Sequence, residues 1–127
     1  MPRGNVTQGM AVQTILLVDD NPDIREVVAA VLSEPGYTVL VAADGYEALR
    51  ILVEQPVDLL VADIAMPGIT GFELARQAKL MRPHLHVIYL SGQSSEPDSS
   101  GGPIYGLLVA KPIRADELLA VVESELR

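Results

Sequence analysis

Apolar residues fall along the chain in two alternating rhythms. Five short runs are nearly continuous: TILLV (14–18), YTVLVA (37–42), VDLLVA (57–62), HVIYL (86–90) and LLVA (107–110). Short aliphatic and β-branched runs bounded by turn residues read as buried strands. Between them the period lengthens. Ile24, Val27, Val28, Val31 and Leu32 recur at i, i+3, i+4, i+7 and i+8, with Asn21-Pro22 in front and Pro35-Gly36 behind. That is an amphipathic helix with a cap, a first-turn proline and a stop. YEALRILVEQ (46–55) follows an Asp44-Gly45 turn and stops before Pro56, FELARQAKLM (72–81) is closed by Pro83, and ADELLAVVESEL (115–126) is the last helix.

Strands alternating with helices imply βαβ units, right-handed crossovers and a parallel sheet, so the fold class is α/β. One interval breaks the rhythm. SGQSSEPDSSGGPIYG (91–106) stands where a helix is due, yet it is rich in Ser, Gly and Pro and has no helical apolar period; it reads as loop with room for one helical turn. Residues 1–13 read as a flexible tail and 14–127 as a single domain, since 127 residues suffice for one core and not for two.

Composition narrows the function classes. A net charge of −8 disfavours a phosphate backbone as direct partner, because nucleic-acid binding needs clustered Lys and Arg. With no cysteine there is no disulfide, thiolate metal site or cysteine nucleophile. The apolar runs are too short to cross a bilayer and the first fourteen residues lack a signal-peptide core. A cytoplasmic protein with no membrane partner is expected.

The polar residues at the strand ends carry the chemistry. In a parallel α/β sheet the carboxyl ends of the strands share one edge, where ligands bind. Asp19 and Asp20 follow the first strand, Asp63 ends the third, Ser91 follows the fourth and Lys111 the fifth. Two carboxylates about 5 Å apart repel by roughly 3 kcal/mol at an effective dielectric near 20, so three in one cleft need an offset. A hard divalent cation supplies it: Mg²⁺ takes carboxylate oxygens, keeps waters and accepts a phosphoryl oxygen. Asp63, alone at the central strand, is then the nucleophile toward a phosphoryl group, with Lys111 and the Ser91 hydroxyl on the phosphoryl oxygens.

Each residue has a plainer reading. Asp19 and Asp20 could only cap a helix, Asp63 be a loop acid, Ser91 a turn residue, Lys111 a solvated strand end and Pro112 a helix starter. Five such coincidences at one edge are improbable together. His84 and His86 share a face of an extended segment, but without a third ligand they read as loop and strand-entry residues. Gly68 and Gly71 lack a P-loop lysine and read as turn and helix entry, and Glu96 and Asp98 as solvated acids.

LLVDDNPDIREVV, DIAMPGITGFEL, VIYLSG and VAKPI, in that order and spacing, resemble the receiver domain of two-component response regulators over nearly all of 14–127. The resemblance implies a flavodoxin-like (βα)5 sheet of order 2-1-3-4-5 and phosphoryl transfer to Asp63 from the phosphohistidine of a histidine kinase or histidine phosphotransfer domain. It also implies Mg²⁺, replaceable by Mn²⁺, held by Asp20, Asp63 and the backbone carbonyl of Ala65, with Asp19 acting through water. Further implications are a Lys111 contact to the phosphoryl group, a cis Lys111–Pro112 peptide, Ser91 as switch hydroxyl, and catalysis only of the protein's own phosphorylation and dephosphorylation.

Two departures from that family bear on output: Leu108 stands where it usually has Tyr or Phe, and the helix due in 91–106 is missing from the pattern. Ala65 and Gln93 occupy positions that tune phosphate lifetime. Receivers of hybrid histidine kinases share such departures, so a single-domain regulator and a hybrid-kinase segment both stay open. A Mg²⁺-dependent phosphohydrolase is the competing reading, against which stand a D-D rather than D-x-D pair and the lack of a cap segment. A flavodoxin-like cofactor binder is opposed by the acidic triad, which repels phosphate without a metal.

Overall fold

Ile15, Leu16, Leu17 and Val18 of TILLV are each flanked by a strand on both sides. In the computed structural model, which describes residues 12–92 and 104–127, β1 (Thr14–Val18) pairs in parallel with β2 (Thr38–Ala42) and with β3 (Leu59–Asp63). β4 (His86–Ser91) joins β3, and β5 (Gly106–Ala110) joins β4. The order β2-β1-β3-β4-β5 is the expected doubly wound, flavodoxin-like sheet.

Both faces are covered, which is why the inner strands read as unbroken apolar runs. Leu16, Val18, Leu60 and Ala62 point into one core with Leu52, Phe72, Leu74 and Tyr89, beneath α2 (Gly45–Glu54) and α3 (Gly71–Met81). Ile15, Leu17, Leu59 and Val61 point into the other with Val28, Leu32, Leu118 and Val122, beneath α1 (Pro22–Ser33) and α4 (Ala115–Leu126).

Local chemistry fixes the helix starts. The Asn21 side chain accepts from the Asp23 and Ile24 amides, so Asn21 caps α1 as its sequence position predicts. Asp44 accepts from the Glu47 amide at 2.8 Å, which makes the Asp44-Gly45 pair a cap and a first helical residue rather than a turn before the helix. Thr70 and Glu73 form a reciprocal capping box on α3. At the far end of α3, Arg82 Nη2 donates to the carbonyls of Leu52 at 2.6 Å and Gln55 at 2.7 Å, bolting α3 to the last turn of α2.

Several boundaries differ from the sequence reading by one or two residues. β3 begins at Leu59, although the Asp58 backbone already bonds on both sides, its amide donating to the Thr14 carbonyl at 2.9 Å and its carbonyl accepting from the His86 amide at 3.2 Å. β3 and β4 run on to include Asp63 and Ser91, which pair with Leu90 and Ala110. Residues 1–11 of the expected tail and 93–103 of the expected loop, with Gln93, Glu96 and Asp98, lie outside the described residues. Of the remainder of that loop, Ile104 and Tyr105 are irregular and Gly106 opens β5.

An acidic site at the carboxyl edge of the sheet

Each chemistry-bearing residue stands where a strand stops. Asp19 follows β1, Asp63 and Ser91 are the last residues of β3 and β4, and Lys111 follows β5. The sheet brings these together: one carboxylate oxygen from each of Asp19, Asp20 and Asp63 lies within 4.8 Å of the others. Asp19 is fully buried and Asp63 nearly so, while Asp20 is exposed at the mouth.

Lys111 reaches into this cluster. Its Nζ is 3.2 Å from Asp19 Oδ2 and 3.3 Å from Asp63 Oδ1. The backbone holds the lysine in register, since the Lys111 amide donates to the Ser91 carbonyl at 2.8 Å and the following Lys111–Pro112 peptide is cis. The Ser91 hydroxyl lies 3.4 Å from the Gly92 carbonyl, too long to fix it strongly. Ala65 enters through its backbone, which hydrogen-bonds to the Asp63 carboxylate.

The helix after β3 is pulled onto the site by a missing side chain. The Gly71 amide donates to the Ile64 carbonyl at 2.9 Å, and a Cβ at Gly71 would run into the Asp63 carbonyl. Only glycine admits this approach. Gly68 turns the connecting loop with a φ of +84° and lies under the Tyr46 ring, where a Cβ would be 2.8 Å from Cε2.

Burial first, and then the Asp19 charge, raise the Asp63 pKa above its ordinary value, with Lys111 opposing them. For Lys111 burial works downward, but the hydrogen bond and charge of Asp19, joined by Asp63, prevail and raise it. A crowded carboxyl and a reinforced ammonium therefore face each other. The capping explanation of the acidic pair fails here, because Asn21 is the cap and Asp19 Oδ1 is occupied by the Asn21 amide at 2.9 Å. Three carboxylates and no soft donor make a set suited to Mg²⁺ or Mn²⁺.

One neighbour of the site was not singled out by sequence reasoning. Arg25 Nη1 donates to the Asp19 carbonyl at 2.8 Å; the only available signal was a cation in the opening turns of a helix, where the dipole disfavours it. The histidines resolve as expected, His86 Nδ1 standing 3.5 Å from Glu125 Oε1.

A parallel sheet of this order with acids and a lysine on its carboxyl edge defines a flavodoxin-like α/β domain with an acidic site. The chain belongs to the response regulator receiver domain family, whose description matches residues 15–123. It is similar to the response regulator MprA of Mycobacterium ulcerans, at 36% identity over 115 residues, 89% of this chain and 50% of that protein. The transcriptional regulatory protein GlrR of Escherichia coli K12 is 32% identical over 114 residues, 88% of this chain and 26% of that protein. The chain thus spans a quarter to a half of the length of these relatives. Among solved structures, the Vibrio cholerae chemotaxis protein CheY4 superposes with a TM-score of 0.80 at 28% identity, covering 91% of this chain and 100% of that one. The receiver domain of the hybrid histidine kinase CckA superposes with a TM-score of 0.77 at 35% identity, covering 90% and 99%. The protein is a receiver of two-component signalling.

Proposed function

We propose that the Asp63 carboxylate accepts a phosphoryl group from the phosphohistidine of a histidine kinase or histidine phosphotransfer domain. The supporting observation is the Lys111 ammonium held between Asp19 and Asp63 beside Asp20. An Asp63 oxygen attacks phosphorus, the P–N bond breaks, and the departing imidazole keeps the electron pair and is protonated from solvent. As charge leaves the Asp63 carboxylate for the phosphoryl oxygens, Lys111 follows it and the Ser91 hydroxyl donates to another of them.

Mg²⁺ or Mn²⁺, when held by Asp20, Asp63 and the Ala65 carbonyl with Asp19 acting through water, would supply positive charge to the transferring group. The inward movement of Ser91 and Lys111 shifts the conformational population around β5, where Leu107 and Leu108 stand exposed. That surface, or onward phosphotransfer, carries the output. The protein works in the cytoplasm and turns over no external substrate.

Acetyl phosphate with Mg²⁺ tests this by intact mass. The native protein should gain one phosphoryl group, chelation should abolish the gain, and Asp63→Asn should gain none. Native-rate labelling of Asp63→Asn would refute the assignment.

A further inference from the structure

Asp20 is exposed, and among the described residues its side chain makes no hydrogen bond or ion pair. With no protein partner on the side chain, the backbone is what limits where its carboxylate can reach. The peptide that joins Asp19 to Asp20 presents its oxygen to Arg25, whose Nη1 donates to it at 2.8 Å. This completes Asp19: its amide donates to Ala42 O at 3.3 Å, Oδ1 accepts from the Asn21 amide at 2.9 Å, and Oδ2 meets Lys111 at 3.2 Å.

Arg25 stands there against two tendencies. It is the fourth residue of α1, where a cation opposes the helix dipole. The chain carries a net charge of −8, yet among the described residues Arg25 has no carboxylate partner; its guanidinium is given to a backbone carbonyl. A charge-assisted bond of this kind resists rotation of the peptide more strongly than a neutral donor would. We infer that Arg25 is a positioning residue that fixes the Asp19–Asp20 peptide, and through it the direction in which Asp20 is offered to a divalent cation. The metal part of this inference rests on the function proposed above; the fixing of the peptide does not.

Substitution separates positioning from simple electrostatics because the two predict opposite signs. Removing a cation beside three carboxylates should tighten Mg²⁺ binding if charge alone mattered. Loss of a positioning partner should weaken it, by about tenfold on the scale of outer-shell partners at metal sites. Arg25→Met is therefore titrated with Mg²⁺ by calorimetry, and amide exchange at Asn21 is followed in the metal-free protein. The expected result is weaker Mg²⁺ binding together with about tenfold faster Asn21 exchange. Arg25→Gln, polar and too short to reach, should give the same pair of changes and serves if the methionine variant does not fold. Arg25→Lys should recover part of both. Unchanged or tighter Mg²⁺ binding, or unchanged Asn21 exchange, overturns the role. Native protein that takes up no Mg²⁺ would instead sink the proposed function, and the exchange measurement would still decide for or against Arg25.

Discussion

Lys111 Nζ sits 3.2 Å from Asp19 and 3.3 Å from Asp63, so one ammonium bridges acids from the ends of two adjacent strands. Without metal or phosphate it is the site's own counter-ion. The side chain proposed to meet the phosphoryl group is thus already extended toward the Asp63 carboxylate, which would leave little ordering for the proposed transfer.

Lys111→Met should lower stability at pH 7 by about 1–3 kcal/mol, the scale for a lost bond to a buried charge. Asp19, fully buried, would keep the Asn21 amide and lose its cation. Urea denaturation measures this, and a midpoint equal to the native one would contradict it. Acetyl phosphate labelling should fall with it.

Asp63→Asn should raise the melting temperature of the metal-free protein at pH 7. The native Asp63 pKa is raised above 3.8 by burial and Asp19. Between 3.8 and that raised value the folded state binds more protons than the unfolded one, so stability falls as pH rises through the window and the full cost is present above it. The advantage of asparagine should shrink on acidification toward pH 3.8. Lys111 has a slope of the same sign at the alkaline end: its contribution is complete below 10.5 and disappears as pH rises through its raised pKa. Differential melting curves of the two proteins, followed from pH 8 down to 3.8, check the acid part, and a gap constant over that whole range would refute it.

Gly71→Ala should destabilise by about 1–3 kcal/mol, although alanine is the better helix former. The added methyl meets the Asp63 carbonyl and Ile64 Cα, so α3 must retreat from the strand end. Beryllofluoride binding, read by nuclear magnetic resonance, should weaken in parallel; a stabilised variant would show that the close approach is dispensable.

Tyr89→Phe should cost about 1–2 kcal/mol. The fully buried Tyr89 accepts the Tyr105 amide on its hydroxyl at 3.1 Å and packs against Phe72 with ring centroids 4.9 Å apart. Phenylalanine keeps the packing and orphans the amide. Amide exchange should quicken at Tyr105 and stay native in β1, a pattern that global destabilisation alone would not produce.

The strands were legible because five apolar runs carry nearly the whole sheet; β1 and α4 fall on the residues their patterns predict. The site was legible because a parallel sheet gathers its carboxyl ends, so Asp19, Asp20, Asp63, Ser91 and Lys111 could be placed together without knowing a single side-chain direction. Departures occur where polar side chains compete with backbone partners. Asp44, for one, serves turns and caps with the same oxygen. Arg25 escaped notice because its partner is a carbonyl, a group every residue possesses and no composition reveals. The Thr70–Glu73 box, by contrast, has a readable T-x-x-E spacing at the head of the 72–81 helical pattern.

Arg82 clasping Leu52 and Gln55, and His86 facing Glu125, both lie at the rim opposite the acids. Because the strands run one way, the contacts at that rim tie helix ends to each other and to a strand start. Tolerance to replacement should accordingly be graded along the strand axis: changes at one pole register as lost cohesion alone, changes at the other as lost cohesion together with a silenced message.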